Sequence, residues 1–452
     1  MRPRALLLSS LLAAVAAAGC DACDKPGATA DAGGATDGAR DGATAVGDAS
    51  SDAPAGPSIL AAPGCRLRTP GGSALTGKLE PGTVTVSVAN GKALVVNTLF
   101  KDPRKLDAGD EERPRESAKS ERLTLAANGL PDGPFEPIIG PHGADEGTAT
   151  PLTWAVATSF KNDLTTLSYG TGRSGAAECK GGTLLLEGSG NPVHVLPEKR
   201  CRFASALAGA ARGELAVALL DGPTALPATT KTWPAIVEAV VYSGAKASTL
   251  ELEKSSEPGK VARIEAPAAA VGKSIAAVAY RIVTPESREL RVAMLDASGK
   301  RIGKTLVLDK GDVGAPTLAF EDDALHVVWA ARASDREPYV LRWSKVSEAG
   351  AATTAQRLST GVASAFAPAL AIDGGRYLVS WMEGDDKRGA VKVGVSKRGL
   401  AAAVALARVV SSEGTNARDP EVGLDKTSMF LVWQELTKDS QGLRAAALEC
   451  ME

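Results

Sequence analysis

Histidine is scarce in this sequence, and the common catalytic motifs are absent from it. The three histidines, His142, His194 and His326, are widely separated and form none of the spaced His/Cys patterns of metal sites. The sequence also contains no G-x-S-x-G elbow, P-loop or H-E-x-x-H motif. We therefore expect no metal and no cofactor, and a non-enzymatic function is favoured. His326 lies in the apolar segment ALHVVW, where an ordinary strand position is the simpler interpretation.

Neither sign of charge predominates. The 51 Lys and Arg residues are balanced by 53 Asp and Glu residues, which gives a net charge of −2. A nucleic-acid-binding protein needs a basic surface field, so we expect no nucleic-acid partner. The charged stretch 101–122 mixes both signs, and we interpret it as a solvated surface insertion.

The sequence has no apolar run long enough to span a bilayer. The longest N-terminal run, Ala5–Ala18, is fourteen residues and is interrupted by two serines, whereas a spanning helix needs about 20 residues. Arg2 and Arg4 precede this run, and small residues follow it. This order predicts a signal peptide over residues 1–19.

The end of that segment, AAGC at residues 17–20, resembles the lipobox of bacterial lipoproteins. The resemblance implies that Cys20 is the lipid attachment site and becomes the mature N-terminus. Acyl chains stabilise membrane binding by about 0.8 kcal/mol per buried CH₂. We therefore expect a protein of the cell envelope, anchored to a membrane on its periplasmic side or at the cell surface. The alternative is a plain secretory signal followed by an unmodified cysteine.

Large apolar side chains are nearly absent after the signal segment. Residues 24–58 contain only Val46 among the larger apolar types and are rich in Gly, Ala and Asp. Such a composition cannot bury enough surface to offset the entropy of ordering. Residues 20–60 are thus predicted to be a lipidated, disordered tether that precedes a folded domain over residues 61–452.

Aromatic residues make up only 4% of the chain, so the spacing of the six tryptophans is informative. Three segments align without gaps at intervals of 52 residues, each from a proline to a tryptophan thirteen positions later: Pro316–Trp329, Pro368–Trp381 and Pro420–Trp433. A fourth copy, Pro267–Tyr280, lies 49 residues upstream of the first. Regular spacing of this length indicates a repeat architecture.

Each copy has the pattern of a β-hairpin, with two apolar strands around a turn rich in Asp and Gly. Two further strands are expected before the next copy, for example at residues 391–396 and 401–410. Four antiparallel strands in about 50 residues are typical of a propeller blade. Weaker copies begin near residues 84, 151 and 205. We therefore predict an all-β propeller of seven four-stranded blades, with six or eight as alternatives because the second copy is poorly defined.

The proline-to-tryptophan repeat resembles the blades of bacterial extracytoplasmic propellers, a group similar in appearance to sialidase-like and BNR repeats. The resemblance covers about residues 65–452 and is strongest over the last three copies. The Asp box of those families, Ser-x-Asp-x-Gly-x-x-Trp, is absent, so sialidase chemistry is not carried over. The resemblance implies that Trp329, Trp381 and Trp433 fill equivalent core positions between neighbouring blades.

Cysteines are few, and four lie in the predicted folded part. The last repeat ends after its third strand, so a strand from elsewhere must complete its sheet. The segment that begins at Cys65 precedes the first inner strand and could supply it. We therefore predict a disulfide between Cys65 and Cys450, with Cys179 and Cys201 paired by elimination. The alternative is that Cys65 and Cys450 are separate thiols.

Propeller topology predicts that several charged loops share one rim. The residues expected there, and proposed as a binding rim, are Asp335, Arg336, Asp385, Asp386, Arg388, Arg418 and Asp439. The leading functional hypothesis is a membrane-anchored binding or assembly scaffold with a protein or glycan ligand on the propeller face. The alternatives are a carbohydrate-active enzyme with a site on that face and a structural envelope protein. A solvated charged rim without a ligand also fits the pattern.

Overall fold

The computed structural model describes much of the chain from Leu60 onward. The described residues are 60–62, 65–69, 72–75, 81–100, 117–137, 154–161, 164–171, 180–186, 192–195, 203–209, 215–222, 236–243, 246–254, 263–283, 288–385, 387–436 and 441–450. The predicted signal peptide, the tether up to residue 59, Cys20, Cys179 and Cys201 all lie outside these residues.

Three short strands open the described part: β1 (Leu60–Ala62), β2 (Cys65–Leu67) and β3 (Ser73–Ala74). Six four-stranded antiparallel sheets follow in chain order. The first three sheets comprise β4 (Pro81–Ala89), β5 (Lys92–Phe100), β6 (Ser117–Leu125), β7 (Glu136–Pro137), β8 (Trp154–Lys161), β9 (Leu164–Thr171), β10 (Lys180–Leu186), β11 (Pro192–Val195), β12 (Phe203–Gly209), β13 (Leu215–Gly222), β14 (Ile236–Ser243) and β15 (Lys246–Lys254).

The fourth to sixth sheets have the same order of strands. They comprise β16 (Arg263–Val271), β17 (Ile275–Val283), β18 (Arg288–Asp296), β19 (Arg301–Lys310), β20 (Asp312–Glu321), β21 (Ala324–Arg332), β22 (Val340–Val346), β23 (Gln356–Arg357), β24 (Ala365–Asp373), β25 (Arg376–Asp385), β26 (Arg388–Ser396) and β27 (Arg408–Val409). A helix, α1 (Leu400–Leu406), precedes β27. The seventh sheet contains β28 (Asn416–Leu424), β29 (Met429–Leu436) and β30 (Gln441–Cys450).

The seven sheets form a closed ring. In each sheet the first strand contacts the first strand of the next sheet, and β28 contacts β4 to complete the circle. The first strands therefore lie innermost, and the sheets are the blades of a seven-bladed β-propeller. This confirms the predicted fold and the seven inner hairpins in the described residues.

The N-terminal segment closes the ring. Strand β2 pairs with β30 as the fourth strand of the seventh sheet, with Cys65 opposite Cys450. The two cysteines form a disulfide, as predicted. Strand β3 pairs with a different part of the same edge of β30, and β1 pairs with the free side of β2. The first and last strands of the described chain thus share one sheet.

The repeated aromatic residues fill the spaces between sheets. Trp329, Trp433 and Tyr280 are fully buried and Trp381 is 3% exposed. Trp329, for example, lies in an apolar cluster that includes Val292 of the preceding sheet. Burial of 150–250 Å² per aromatic side chain is a major part of propeller core packing. The predicted core positions of these residues are therefore confirmed.

The repeated proline marks a β-bulge in the innermost strand. Pro316 pairs with Trp329, and the register is irregular beside the corresponding proline in the fourth, sixth and seventh sheets. In those three sheets the preceding residue, Ala266, Ala367 or Asp419, has φ between 44° and 49°. Proline cannot donate a ladder hydrogen bond, so a strand tolerates it at a bulge or on an edge. The sequence repeat therefore specifies two features of a blade: an aromatic side chain in the core and a β-bulge in the innermost strand.

Two sequence predictions are wrong in part. Residues 401–410, predicted as a strand, contain most of helix α1 and the two-residue strand β27. Ala and Leu dominate α1, and both are strong helix formers. Residues 117–122, predicted as solvated, belong to β6, and Glu121 is buried in that strand. Residues 101–116 lie outside the described residues.

Within the described chain, no helix has the length and apolar character needed to cross a membrane.

Candidate functional site

One edge of the propeller gathers the loops predicted to form a binding rim. Because strands alternate in direction, loops between second and third strands lie at the same edge as loops entering the next sheet. The backbone N–H of Gly389, at the start of β26, donates to Oδ1 of Asn416, at the start of β28, at 2.8 Å, which joins two strand ends at this edge. We call this edge the upper rim; it comprises residues 288–289, 309–315, 332–339, 358–365, 384–385, 387–390 and 410–418.

The predicted rim residues differ in how firmly they are held. Asp335 is 92% exposed and lies 2.9 Å from Nη2 of Arg332. Oδ1 of Asp385 accepts hydrogen bonds from the backbone N–H of residues 387 and 388, both at 2.8 Å. Arg336 and Arg388 are exposed. The structure therefore gives their positions, and a binding role for them stays a prediction.

The other three predicted rim residues are Arg418, Asp386 and Asp439. Arg418 lies on β28, with its Nε 3.9 Å from a carboxylate oxygen of Asp419. Asp386 and Asp439 lie outside the described residues.

A cavity in the upper rim was not predicted from the sequence. It has a volume of about 550 Å³ and lies between the fourth and fifth sheets. Its lining consists of Asp309, Lys310, Gly311, Asp312, Ala331, Arg332, Ala333, Ser334, Asp335 and Arg342. We call it the rim cavity. Its volume is within the range of small-ligand sites, but its lining is more charged than is usual for them.

An ion-pair network fixes the upper side of the rim cavity. Nε of Arg332 donates to Oδ2 of Asp312, and Nη1 of Arg288 lies 2.9 Å from Oδ1 of the same carboxylate. Burial raises the pKa of Asp312, but hydrogen bonds from Tyr339 and Arg332 and the charges of both arginines outweigh it. The pKa of Asp312 is therefore below its ordinary value. The Arg332 guanidinium also lies 4.7 Å from the centre of the Tyr339 ring.

A second network lies deeper, between the same two sheets. Oδ2 of Asp309 accepts hydrogen bonds from Nε1 of Trp329 at 2.8 Å and from Nη1 of Arg342 at 3.0 Å. Asp309 belongs to the outermost strand of the fourth sheet, whereas the two donors belong to the fifth. One carboxylate thus holds a core aromatic and a cavity-lining arginine of the next blade.

The same arrangement occurs one blade earlier. Oε1 of Glu253 accepts hydrogen bonds from the hydroxyl of Tyr280 at 2.9 Å and from Nη1 of Arg291 at 2.7 Å. Burial, followed by the charge and the hydrogen bond of Glu253, raises the pKa of Tyr280 far above its ordinary value. The hydroxyl therefore stays protonated and acts as a donor.

In the sixth and seventh blades, the basic residue opposite the repeated tryptophan has a different partner. Lys392 pairs with Glu383, and Arg444 pairs with Glu435, each within its own blade. Among the described residues, the indole nitrogens of Trp381 and Trp433 have no hydrogen-bond partner. In the described residues, the repeated aromatic is thus linked to an acid of the preceding blade in the fourth and fifth blades, and not in the sixth and seventh.

His326 lies at the opposite edge and belongs to the core. It is 3% exposed, and burial lowers its pKa below the ordinary value. Nε1 of Trp343 donates to Nδ1 of His326 at 3.2 Å, so the ring proton is on Nε2, 3.2 Å from Oε2 of Glu321. The Tyr377 hydroxyl of the next blade also donates to Glu321. Both ring nitrogens are occupied, which agrees with an ordinary strand position.

Two carboxyl groups lie on the innermost strand of the seventh sheet. Burial raises the pKa of Glu421 to about 8, and the nearby Asp419 adds to the increase. Burial also raises the pKa of Asp419, while Arg418 lowers it. Strand β28 lies between the innermost strands β24 and β4. With a pKa of about 8, Glu421 favours the neutral form near neutral pH.

The rim cavity is lined by paired charges. Its arginines and carboxylates are paired with one another, and Asp312 is held in its ionised form by Arg332 and Arg288. An ionised carboxylate cannot serve as a general acid. No group of three or more His, Cys, Asp or Glu side chains that could hold a metal ion occurs in the described part of the chain.

Comparison with known proteins gives a similarity of fold only. No protein-family model and no curated protein matches the sequence. A prolyl endopeptidase structure is 14% identical, with a TM-score of 0.48, over 81% of this chain and 47% of that one. The phage phi92 endosialidase is 9% identical, with a TM-score of 0.46, over 85% and 70% of the two chains. The Trypanosoma rangeli sialidase in complex with sialic acid is 9% identical, with a TM-score of 0.42, over 86% and 59%.

This chain therefore spans about half the length of the prolyl endopeptidase and about three fifths of the sialidase. Its fold is established by its own strand pairing, and its activity is not indicated by these neighbours.

Proposed function

We propose that this protein is a lipid-anchored scaffold of the cell envelope that binds a protein or glycan ligand at its upper rim. The anchor is Cys20, and the tether separates the propeller from the membrane. The proposal rests on two parts of the chain, the lipobox-like sequence and the geometry of the upper rim.

The observation that carries the binding role is the rim cavity. Arg332 and Asp312 in its wall are held by an ion pair, and Arg342 is held by a carboxylate of the preceding blade. Side chains fixed in this way lose less conformational entropy when a ligand binds, which favours affinity. Arginine is enriched at protein interfaces, and the rims of such interfaces are polar.

The paired charges favour a scaffold over a hydrolytic enzyme. Glycoside hydrolysis commonly needs a protonated carboxylic acid beside a second carboxylate. Asp309 and Asp312 both lie in the rim cavity, but each accepts hydrogen bonds from arginine. The carbohydrate-active enzyme is therefore the less favoured alternative.

Site-specific photo-crosslinking in intact cells tests the binding role. A photo-reactive amino acid at position 336, in the upper rim, is compared with one at position 348, in an exposed loop at the opposite edge. The proposal predicts a discrete adduct from position 336 and none from position 348. Reversing the charge of Asp335 should abolish the adduct from position 336. Equal labelling from both positions, or no adduct from either together with no binding on a glycan array, contradicts it.

A further inference from the structure

The disulfide lies at the end of the closing strand that is nearest the N-terminal part of the chain. Cys65 is the first residue of β2, and Cys450 is the last residue of β30. Among the described residues, the one strand that precedes β2 is β1. It pairs with β2, with Leu60 opposite Arg66 and Ala62 opposite Cys65, and it also contacts β26 and β27 of the sixth sheet. Any tension from the N-terminal side therefore reaches β30 first at Cys65.

Without the disulfide, few interactions would resist that tension. The strand β2 pairs with β30 over three residues, followed by one backbone hydrogen bond from Arg68 to Ala447 at 2.9 Å. The ion pair of Arg66 with Glu449 is exposed on both sides and contributes little. Tension at one end of this short antiparallel pair would load its hydrogen bonds one after another rather than together.

Loss of the closing segment would uncover the core of the seventh blade. The side chain of Trp433 packs against Gly72, where there is no room for a Cβ atom. The backbone N–H of Leu75 also donates to the carbonyl of Leu443 at 2.9 Å. Residues 65–69 and 72–75 thus cover the edge of β30 and the buried tryptophan beside it.

Strand β30 is much better held than β2. It pairs with β29 over eight consecutive positions, from Leu436 opposite Gln441 to Met429 opposite Leu448. Its residues Ala445, Ala446, Ala447 and Leu448 are buried. A force delivered to β30 would therefore act on an interior strand of the sheet.

We propose that the Cys65–Cys450 disulfide transfers tension from the tether directly to β30 and keeps the propeller closed while the anchored protein is pulled. This role rests on the proposed function, in which Cys20 fixes the chain to a membrane and the upper rim holds a ligand. The covalent bond is at the first residue of the closing strand that the force would reach, so peeling cannot begin.

Single-molecule pulling of the full mature chain tests this role. One handle is attached at the N-terminus and the other through a bioorthogonal side chain at position 336, which reproduces pulling between anchor and ligand. The proteins are the wild type, the Cys65→Ser/Cys450→Ser variant and the Cys179→Ser/Cys201→Ser variant, which serves as a control. Reduction of folded wild-type protein provides a second way to break the bond if the first variant does not fold.

The wild type and the control should show no discrete step in extension before the propeller unfolds. The Cys65→Ser/Cys450→Ser variant and the reduced wild type should show an earlier, low-force step of about 50 Å, as expected for release of residues 60–75 at about 3.5 Å per residue. An equal step in oxidised wild type would overturn the proposal, and so would its absence from both proteins that lack the bond. The lipid on Cys20 is measured separately by mass spectrometry. A missing lipid anchor can therefore be distinguished from a disulfide that does not carry tension.

Discussion

Trp329 of the fifth blade donates its indole N–H to Asp309 of the fourth blade, and the two side chains are 2.8 Å apart. Arg342 donates to the same carboxylate oxygen. This contact connects the repeated core of the propeller with the wall of the rim cavity. A substitution of Asp309 should therefore change both the stability of the propeller and the shape of the rim cavity.

The Trp329 hydrogen bond should make one tryptophan more costly to replace than its equivalent. Trp329→Phe removes a charge-assisted hydrogen bond, whereas Trp381→Phe removes an indole nitrogen that has no partner among the described residues. We expect Trp329→Phe to lower the free energy of unfolding by about 1–3 kcal/mol more than Trp381→Phe. Urea denaturation measures both, and equal losses would show that the contact with Asp309 contributes nothing.

The buried aromatics should be essential to packing. Trp433→Ala removes a fully buried side chain between the sixth and seventh blades and should cost about 3–5 kcal/mol. Val362→Ala, at a side chain that is 92% exposed, is the control and should change stability by less than about 0.5 kcal/mol. A Trp433→Ala protein as stable as the control would contradict the core position of this residue.

The raised pKa of Glu421 predicts a dependence of stability on pH. The folded pKa is about 8, above the ordinary value of 4.5, so the neutral group is favoured by folding. Stability is fully retained below pH 4.5 and is lost as the pH rises towards 8. Glu421→Gln should therefore stabilise the protein at pH 8 by on the order of 3 kcal/mol relative to its effect at pH 4.

Thermal unfolding at the two pH values measures this difference. Glu413→Gln, at an exposed loop position, is the matched control and should show no such change. A Glu421→Gln protein with the same relative stability at both pH values would show that Glu421 is ionised in the folded state.

The lipid anchor predicts a change of location. Cys20→Ser removes the thiol that acylation requires, so the protein should leave the membrane fraction or persist as an uncleaved precursor. Fractionation and mass spectrometry of the mature N-terminus measure both outcomes. Cleavage at another position without lipid in the wild type would exclude the anchor.

The sequence was sufficient to predict the last four blades because each carries the same signal. The spacing from Pro316 to Trp329 recurs in them, with the proline at a bulge and the aromatic side chain in the space between sheets. The pairing of Cys65 with Cys450 followed from a missing strand.

The incorrect predictions arise where local composition and tertiary context disagree. The segment LAAAVAL at α1 has apolar residues that fit a strand or a helix, and its helix propensity prevailed. Glu121 is buried although its neighbours in sequence are charged, because β6 is the third strand of a blade.

The rim cavity could not be predicted from spacing. Asp309 ends the outermost strand of one blade, and Arg342 lies on the third strand of the next, so their contact depends on how two sheets pack. Sequence reasoning identified exposed loops such as that of Asp335 because loop composition is a local property.

Closure of the ring by the N-terminal strand is the claim on which the fold, the path from the tether and the proposed role of the disulfide all depend. Non-reducing peptide mapping of the mature protein tests it most directly. Ring closure predicts a peptide that contains Cys65 linked to one that contains Cys450. A linkage of Cys65 to Cys179, or of Cys201 to Cys450, would contradict the closure.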